Sequence, residues 1–154
     1  NNRVQHAGIA IVPRTIHGVI LLYQGHHRES YGYISRLKCI NNYSAVTAAC
    51  MMISKELYNE VGGFSEEYAV AFNDVDFCMK VREKGYLVVY DAFSQWYHYE
   101  SKSRGLDDTA EKMERFKGEV DRFQAKWKKQ LDAGDPYYNK NFSLTKAVFM
   151  LDKE

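Results

Sequence analysis

From Met113 to Leu131, apolar residues recur at intervals of three and four: Met113, Phe116, Val120, Phe123, Trp127 and Leu131. That period places them on one stripe of an α-helix. The stripe is bracketed by helix signals. Asp108 and Glu111 stand in capping-box spacing, with Asp where Ser or Thr is usual, and Gly134 and Pro136 end the run. A helix this long and one-sided must lay its apolar face on other structure. The 154 residues suffice for one domain, spanning 1–154, that buries roughly 70% of its unfolded surface.

The remaining elements are shorter. Residues 4–12, VQHAGIAIV, read as a buried strand ended by Pro13. From Arg14 to Asn42 no period stands out, and a connection this long is usually functional or mobile. SAVTAACMMIS, 44–54, is continuously small and apolar, as expected of a strand covered on both faces. Ser54 is set to cap the short helix KELYNEV, which Gly62–Gly63 stop in left-handed conformation. A loop from Phe64 to Phe72 leads to a second helix, with Asn73 as its cap, Val75, Cys78, Met79 and Arg82 on one face, and Gly85 at its end. YLVVYD, 86–91, reads as another strand, and the tail YYNKNFSLTKAVFML has no regular period. Strands alternating with helices make the fold class α/β.

With Lys+Arg 21 against Asp+Glu 20, there is no electrostatic case for a nucleic-acid partner. No apolar run approaches the ~20 residues needed to span a bilayer. Cys39, Cys50 and Cys78 form no CxxC pair and are odd in number, which points to buried thiols in a reducing compartment. The start at Asn1, without Met, reads as a piece of a longer chain.

Three readings of Asp74-Val75-Asp76 compete. Acidic residues in a first helical turn interact favourably with the helix dipole and need no chemistry. An Asp-x-Asp pair can hold Mg²⁺ or Mn²⁺ against a diphosphate. A carboxylate at a helix N-terminus can also act as a general base toward a hydroxyl. His98, beside Trp96, Tyr97 and Tyr99, is on its own a structural histidine or a ligand. The histidines His26–His27 and the cysteines match no zinc spacing. Aromatic side chains are abundant, with 12 Tyr, 8 Phe and 2 Trp, which suits sugar contact and core packing equally.

The ordered blocks NNYSAVTAACMMIS, EVGGFSEE, AVAFNDVDFC, REKGY, YHYES and SRG resemble the C-terminal half of inverting, nucleotide-sugar-dependent glycosyltransferases of family 2. The likeness is greatest to rhamnosyltransferase-like enzymes of bacterial surface-polysaccharide synthesis. The resemblance implies the C-terminal part of a GT-A fold, a Rossmann-like mixed sheet flanked by helices with a long C-terminal amphipathic helix. It makes Asp74 the catalytic base that deprotonates the acceptor hydroxyl, with Asn73 in place of the commoner Glu. Asp76 supports it from the same helical turn. His98 falls where many relatives contribute a ligand to the divalent cation, Mn²⁺ or Mg²⁺, on the donor diphosphate, and Glu100 is placed to orient it. By their ring chemistry Phe72, Trp96, Tyr97 and Tyr99 suit the face of an acceptor sugar, and core packing accounts for any one of them at least as well.

The resemblance gives the family's nucleotide-binding N-terminal half no counterpart within residues 1–154. The expectation is therefore an acceptor-side fragment that is inactive alone and holds no cation by itself. In the full-length enzyme it would use a nucleotide-sugar donor and a saccharide acceptor. The implied location is cytoplasmic, with at most peripheral membrane contact, and the truncated sheet surface is expected to self-associate. The competing reading is a non-catalytic saccharide-binding or assembly module derived from such a half.

Overall fold

The computed structural model describes residues 2–13, 15–98, 109–144 and 149–151. Strands β1 (Ile9–Ile11) and β2 (Val19–Leu21) pair antiparallel, with Ala10 opposite Ile20. Strands β3 (Asn41–Tyr43) and β4 (Val88–Tyr90) form a second antiparallel ladder, with Asn42 opposite Val89. An antiparallel bridge joins the two: Ile9 N donates to Ala45 O at 2.8 Å and Ala45 N to Ile9 O at 3.2 Å. Among the described residues four α-helices join them, α1 (Lys55–Glu60), α2 (Asn73–Glu83), α3 (Ala110–Lys126) and α4 (Lys128–Ala133), with 3₁₀ turns at Tyr33–Lys38 and Ala48–Cys50. The composition of elements fits an α/β fold. Among the described residues every ladder is antiparallel.

Several elements form as their residues dictate. Ser54 Oγ accepts from Leu57 N at 3.2 Å and starts α1. Gly62 and Gly63 end it at φ 77° and 62°, the left-handed region a helix stop requires. Residues of β1 are buried throughout.

Other expectations are corrected. The run 44–54 is not a strand: β3 ends at Tyr43, Ala45 forms an isolated bridge to Ile9, and Thr47 Oγ1 then accepts from Ala49 N at 3.3 Å to cap a 3₁₀ turn over Ala48–Cys50. A local hydroxyl-to-backbone bond outcompetes extension there, and Met52 is left 98% exposed. Strand β2 lies in the stretch where no period stood out, because three residues are too few to show one. Cys39 and Cys50 are exposed, and Cys78 alone of the three is buried. Burial pushes the Cys78 thiol up to about 12, which makes it an inert core group.

The C-terminal stripe does pack as one face, but not on one helix. Trp127 (φ −102°, ψ 18°) interrupts it between α3 and α4. Val120, Phe123, Trp127 and Leu131 are buried, whereas Met113 is 63% exposed. The cap of α3 is Thr109, whose Oγ1 accepts from Lys112 N at 3.3 Å. The expected cap Asp108 lies outside the described residues. No helix among the described residues is long and apolar enough to cross a membrane.

The break at Trp127 has a purpose in packing. Its indole Nε1 donates to Asp76 Oδ1 at 2.8 Å, inside the interface between α2 and the C-terminal helices. Asp76 is fully buried. Its carboxylate also accepts from Ser65 Oγ at 2.5 Å and pairs with Lys126 Nζ at 2.7 Å. A buried carboxylate costs several kcal/mol to desolvate, and these partners offset that cost. Replacing Asp76 with Ala leaves a buried indole N–H without its acceptor and takes one of two carboxylates from Lys126, which also pairs with Glu67 at 3.1 Å. We expect Asp76→Ala to lower unfolding stability by about 3 kcal/mol, read from urea denaturation, with Asp76→Asn costing less.

Candidate functional site

Helix α2 begins at an unusual turn. Phe72, its N-cap position, sits at φ 64°, ψ −3°, left-handed for a bulky residue. The first helical bond runs from Asp76 N to Phe72 O at 2.8 Å. Asn73, expected as the cap, lies one residue inside the helix, where its Oδ1 accepts from Asp74 N at 2.7 Å. Asp74 Oδ1 accepts from Val75 N at 2.8 Å and its Oδ2 from Ala48 N at 3.2 Å. The half-buried Asp74 carboxylate is thus fixed at the positive end of α2 and tied to the 3₁₀ turn across from it.

The residue next to Ala48 is held from the other side. Thr47 N donates to His6 Nε2 at 3.1 Å, and Gly8 N donates to the same nitrogen at 3.3 Å. Gly8 takes φ 107° to do so, and a Cβ there would lie 2.4 Å from the Tyr43 ring. Because Nε2 accepts, its lone pair is engaged and the neutral ring carries its proton on Nδ1. His6 Nδ1 is buried with no hydrogen-bond partner among the described residues. Burial holds the imidazole pKa down from 6.5 to about 4. His6 and Asp74 therefore grip consecutive amides of one turn, one neutral and one carboxylate.

Both residues line a cavity of about 730 Å³. Its polar groups are Gln5, His6, Thr15, His17, Gln24, Thr47 and Asp74, and its apolar wall includes Ile9, Phe72, Phe116 and Leu144. Few directional groups on a largely apolar wall are what a small-molecule site requires.

The structure separates the other expected site residues. Phe72 lines the cavity but is a core ring, stacked on Phe123 at 4.8 Å between centroids and on Phe116 at 6.0 Å. Asp76 points into the helix interface and not into the cavity. Trp96 and Tyr97 are 77% and 73% exposed and line no part of the cavity. Tyr97 Oη accepts from Arg28 Nη1 at 2.5 Å. His98 reaches the rim indirectly: its Nδ1 donates to Oε1 of the cavity residue Gln5 at 2.8 Å. Glu100 and Tyr99 lie outside the described residues. His6, Gln5 and Thr47 were not singled out from the sequence, where VQHAGIAIV reads as a strand; a histidine two residues before a glycine was the available signal.

The divalent cation implied by the resemblance finds one donor here, His98. No group of three His, Cys, Asp or Glu able to hold an ion assembles among the described residues.

Comparison with known proteins adds a second line. The chain is 47% identical, over 98% of its length, to an uncharacterized protein of Sinorhizobium fredii, y4gI. It is 30% identical, over 92% of its length, to the O-antigen biosynthesis protein RfbC of Myxococcus xanthus. Over 40% of its length it is 29% identical to N-acetylglucosaminyl-diphospho-decaprenol L-rhamnosyltransferase of Mycobacterium tuberculosis. These likenesses support a glycosyltransferase-like family. The chain spans 16%, 11% and 20% of the lengths of those three proteins. No family model and no solved structure matches it.

The low pKa of His6 gives a pH signature. The unfolded chain takes up a proton on this ring below about 6.5, and the folded chain refuses it until about 4. Stability contributed by neutral His6 is thus complete above the upper value and lost as pH falls through the window. We expect His6→Gln to flatten the decline in urea midpoint between about pH 7 and about pH 4.5. An identical slope in both proteins would show that His6 takes up its proton in the fold as readily as in the unfolded chain.

Proposed function

We propose that this chain is the acceptor-side portion of a glycosyltransferase that moves a sugar from a nucleotide diphosphate donor to a saccharide, with Asp74 as the base. The observation that carries the reading is the Asp74 carboxylate, fixed at the N-terminus of α2 on the wall of a cavity edged with amide, hydroxyl and imidazole groups. Those groups match the alternating hydroxyls and apolar faces of a sugar ring. The similarity to proteins named for O-antigen biosynthesis and rhamnosyl transfer supports the substrate class.

The chemistry follows from the placement. An acceptor hydroxyl bound against Asp74 passes its proton to the carboxylate as its oxygen attacks the anomeric carbon. The new C–O bond forms on the face opposite the leaving diphosphate, which departs with the bonding electrons, so the anomeric configuration inverts. Asp74 serves only while its second oxygen contacts stay in register, and the bonds from Ala48 N and Val75 N hold it so. Donor binding, and any cation bound with the diphosphate, would require more protein than this chain contributes. Work on nucleotide sugars would place the enzyme at the cytoplasmic side of the membrane.

The test is Asp74→Asn in the full-length protein that contains this segment. Asn keeps the size and one acceptor oxygen but cannot take the proton. We expect transfer to fall by about 10²–10⁴ with nucleotide-sugar affinity unchanged, measured by product formation and by calorimetry. Transfer at the parental rate would remove Asp74 from the role of base.

A further inference from the structure

We infer that Glu119, on α3, is a positioning residue for Asp74, an inference that takes its functional weight from the reading above. Glu119 is fully buried, and it lines no part of the cavity. Its Oε1 accepts from Val70 N at 3.2 Å and its Oε2 from Ala71 N at 2.7 Å. Two consecutive amides, 48 and 49 residues away in the chain, are thus held by one carboxylate. Arg115 Nε, one helical turn away, stands 3.9 Å from Oε1. Burying a carboxylate to bind a loop is costly unless its lone pairs are used, and here backbone N–H groups use them.

What the two amides precede gives the arrangement its meaning. Phe72 follows directly, in a left-handed conformation that costs a non-glycine residue roughly 1–2 kcal/mol. Its ring is stacked on Phe116 and Phe123. Residues 116, 119 and 123 fall on one face of α3. That face takes hold of three consecutive residues, 70 to 72, by two hydrogen bonds and a ring stack. The strained turn has no support from its own cap, since no side chain caps it. Asp74 comes two residues later. Let go of the amides, and Phe72 relaxes toward the right-handed region, carrying Asn73 and Asp74 off the cavity wall and away from Ala48.

The bond from Ala48 N to Asp74 Oδ2 reports this directly, because it is far from Glu119 in the chain and depends on where Asp74 sits. In the ¹H–¹⁵N spectrum of the chain, Asp74→Ala fixes how far the Ala48 amide moves when its acceptor is removed. We expect Glu119→Gln, which sets an NH₂ against one of the two N–H groups, to move Ala48 in the same direction by most of that displacement. The amides of Ile9 and Ala45, in the strand bridge, should stay in place. Movement confined to Val70 and Ala71, with Ala48 unmoved, would overturn the inference and leave Glu119 a local staple. Should Glu119→Gln fail to fold, Phe116→Leu loosens the same grip from a half-buried position; an unmoved Ala48 there overturns the inference, and a moved one supports it. The readout follows the seat of Asp74 and not its chemistry, so it stands or falls separately from the loss of transfer in Asp74→Asn.

Discussion

A carboxylate sealed from solvent holds the two halves of this molecule's helical layer together. Asp76 receives the indole N–H of Trp127, the hydroxyl of Ser65 and the ammonium of Lys126. The partners come from two parts of the chain: the loop after α1, and the junction of α3 and α4, where Lys126 and Trp127 are consecutive. Hydrophobic attraction is non-directional and by itself fixes the seat of α2 on α3 less sharply than aimed hydrogen bonds do. Fixed donors aimed at one carboxylate sharpen that seat. The direction of α2, and with it the position of Asp74 at its first turn, follows.

The site then divides labour between charge and shape. Asp76 and Asp74 are two residues apart, on the same short helix, and they face different worlds. One is spent inside the helix interface and the other lines the cavity. His6 complements them as an uncharged acceptor, locked to one tautomer by the amides it serves. The turn at 47–48 sits between a neutral ring and an anion, so its two N–H groups are both satisfied without any residue having to move.

Much of this was legible from the residues alone. Ser54 and Gly62–Gly63 carry a local physical cause and produced the cap and stop they implied, whereas the 3–4 spacing around Phe123 gave the buried face but not the break at Trp127. The acidic pair at 74–76 was readable as a site because it opens a helix, yet nothing local says which of the two faces inward. That choice belongs to Trp127 and Lys126, some fifty residues on. The run 44–54 misled for a related reason: small apolar residues suit a buried strand, but Thr47 offered its own hydroxyl to the backbone and bent the chain. Strand β2 and the grip of His6 on Thr47 depend on pairing across the fold, where spacing in the sequence has nothing to say. Trp96 and Tyr97 were read from their ring chemistry, and ring chemistry does not fix which way a loop turns.

The cavity wall is assembled from Gln5 and His6 near one end of the chain, from residues 15–24, Thr47, the start of α2 and Phe116, and from Leu144 near the other end. Such a pocket has no local address. It comes into being only when nearly the whole length has closed upon itself, so trimming either terminus by a few residues past Gln5 or Leu144 would open a wall while leaving every helix intact. Shortened versions would lose core side chains along with the chamber, since Ala7 and Ile9 are buried past Gln5, and Phe149, past Leu144, is stacked on Tyr23.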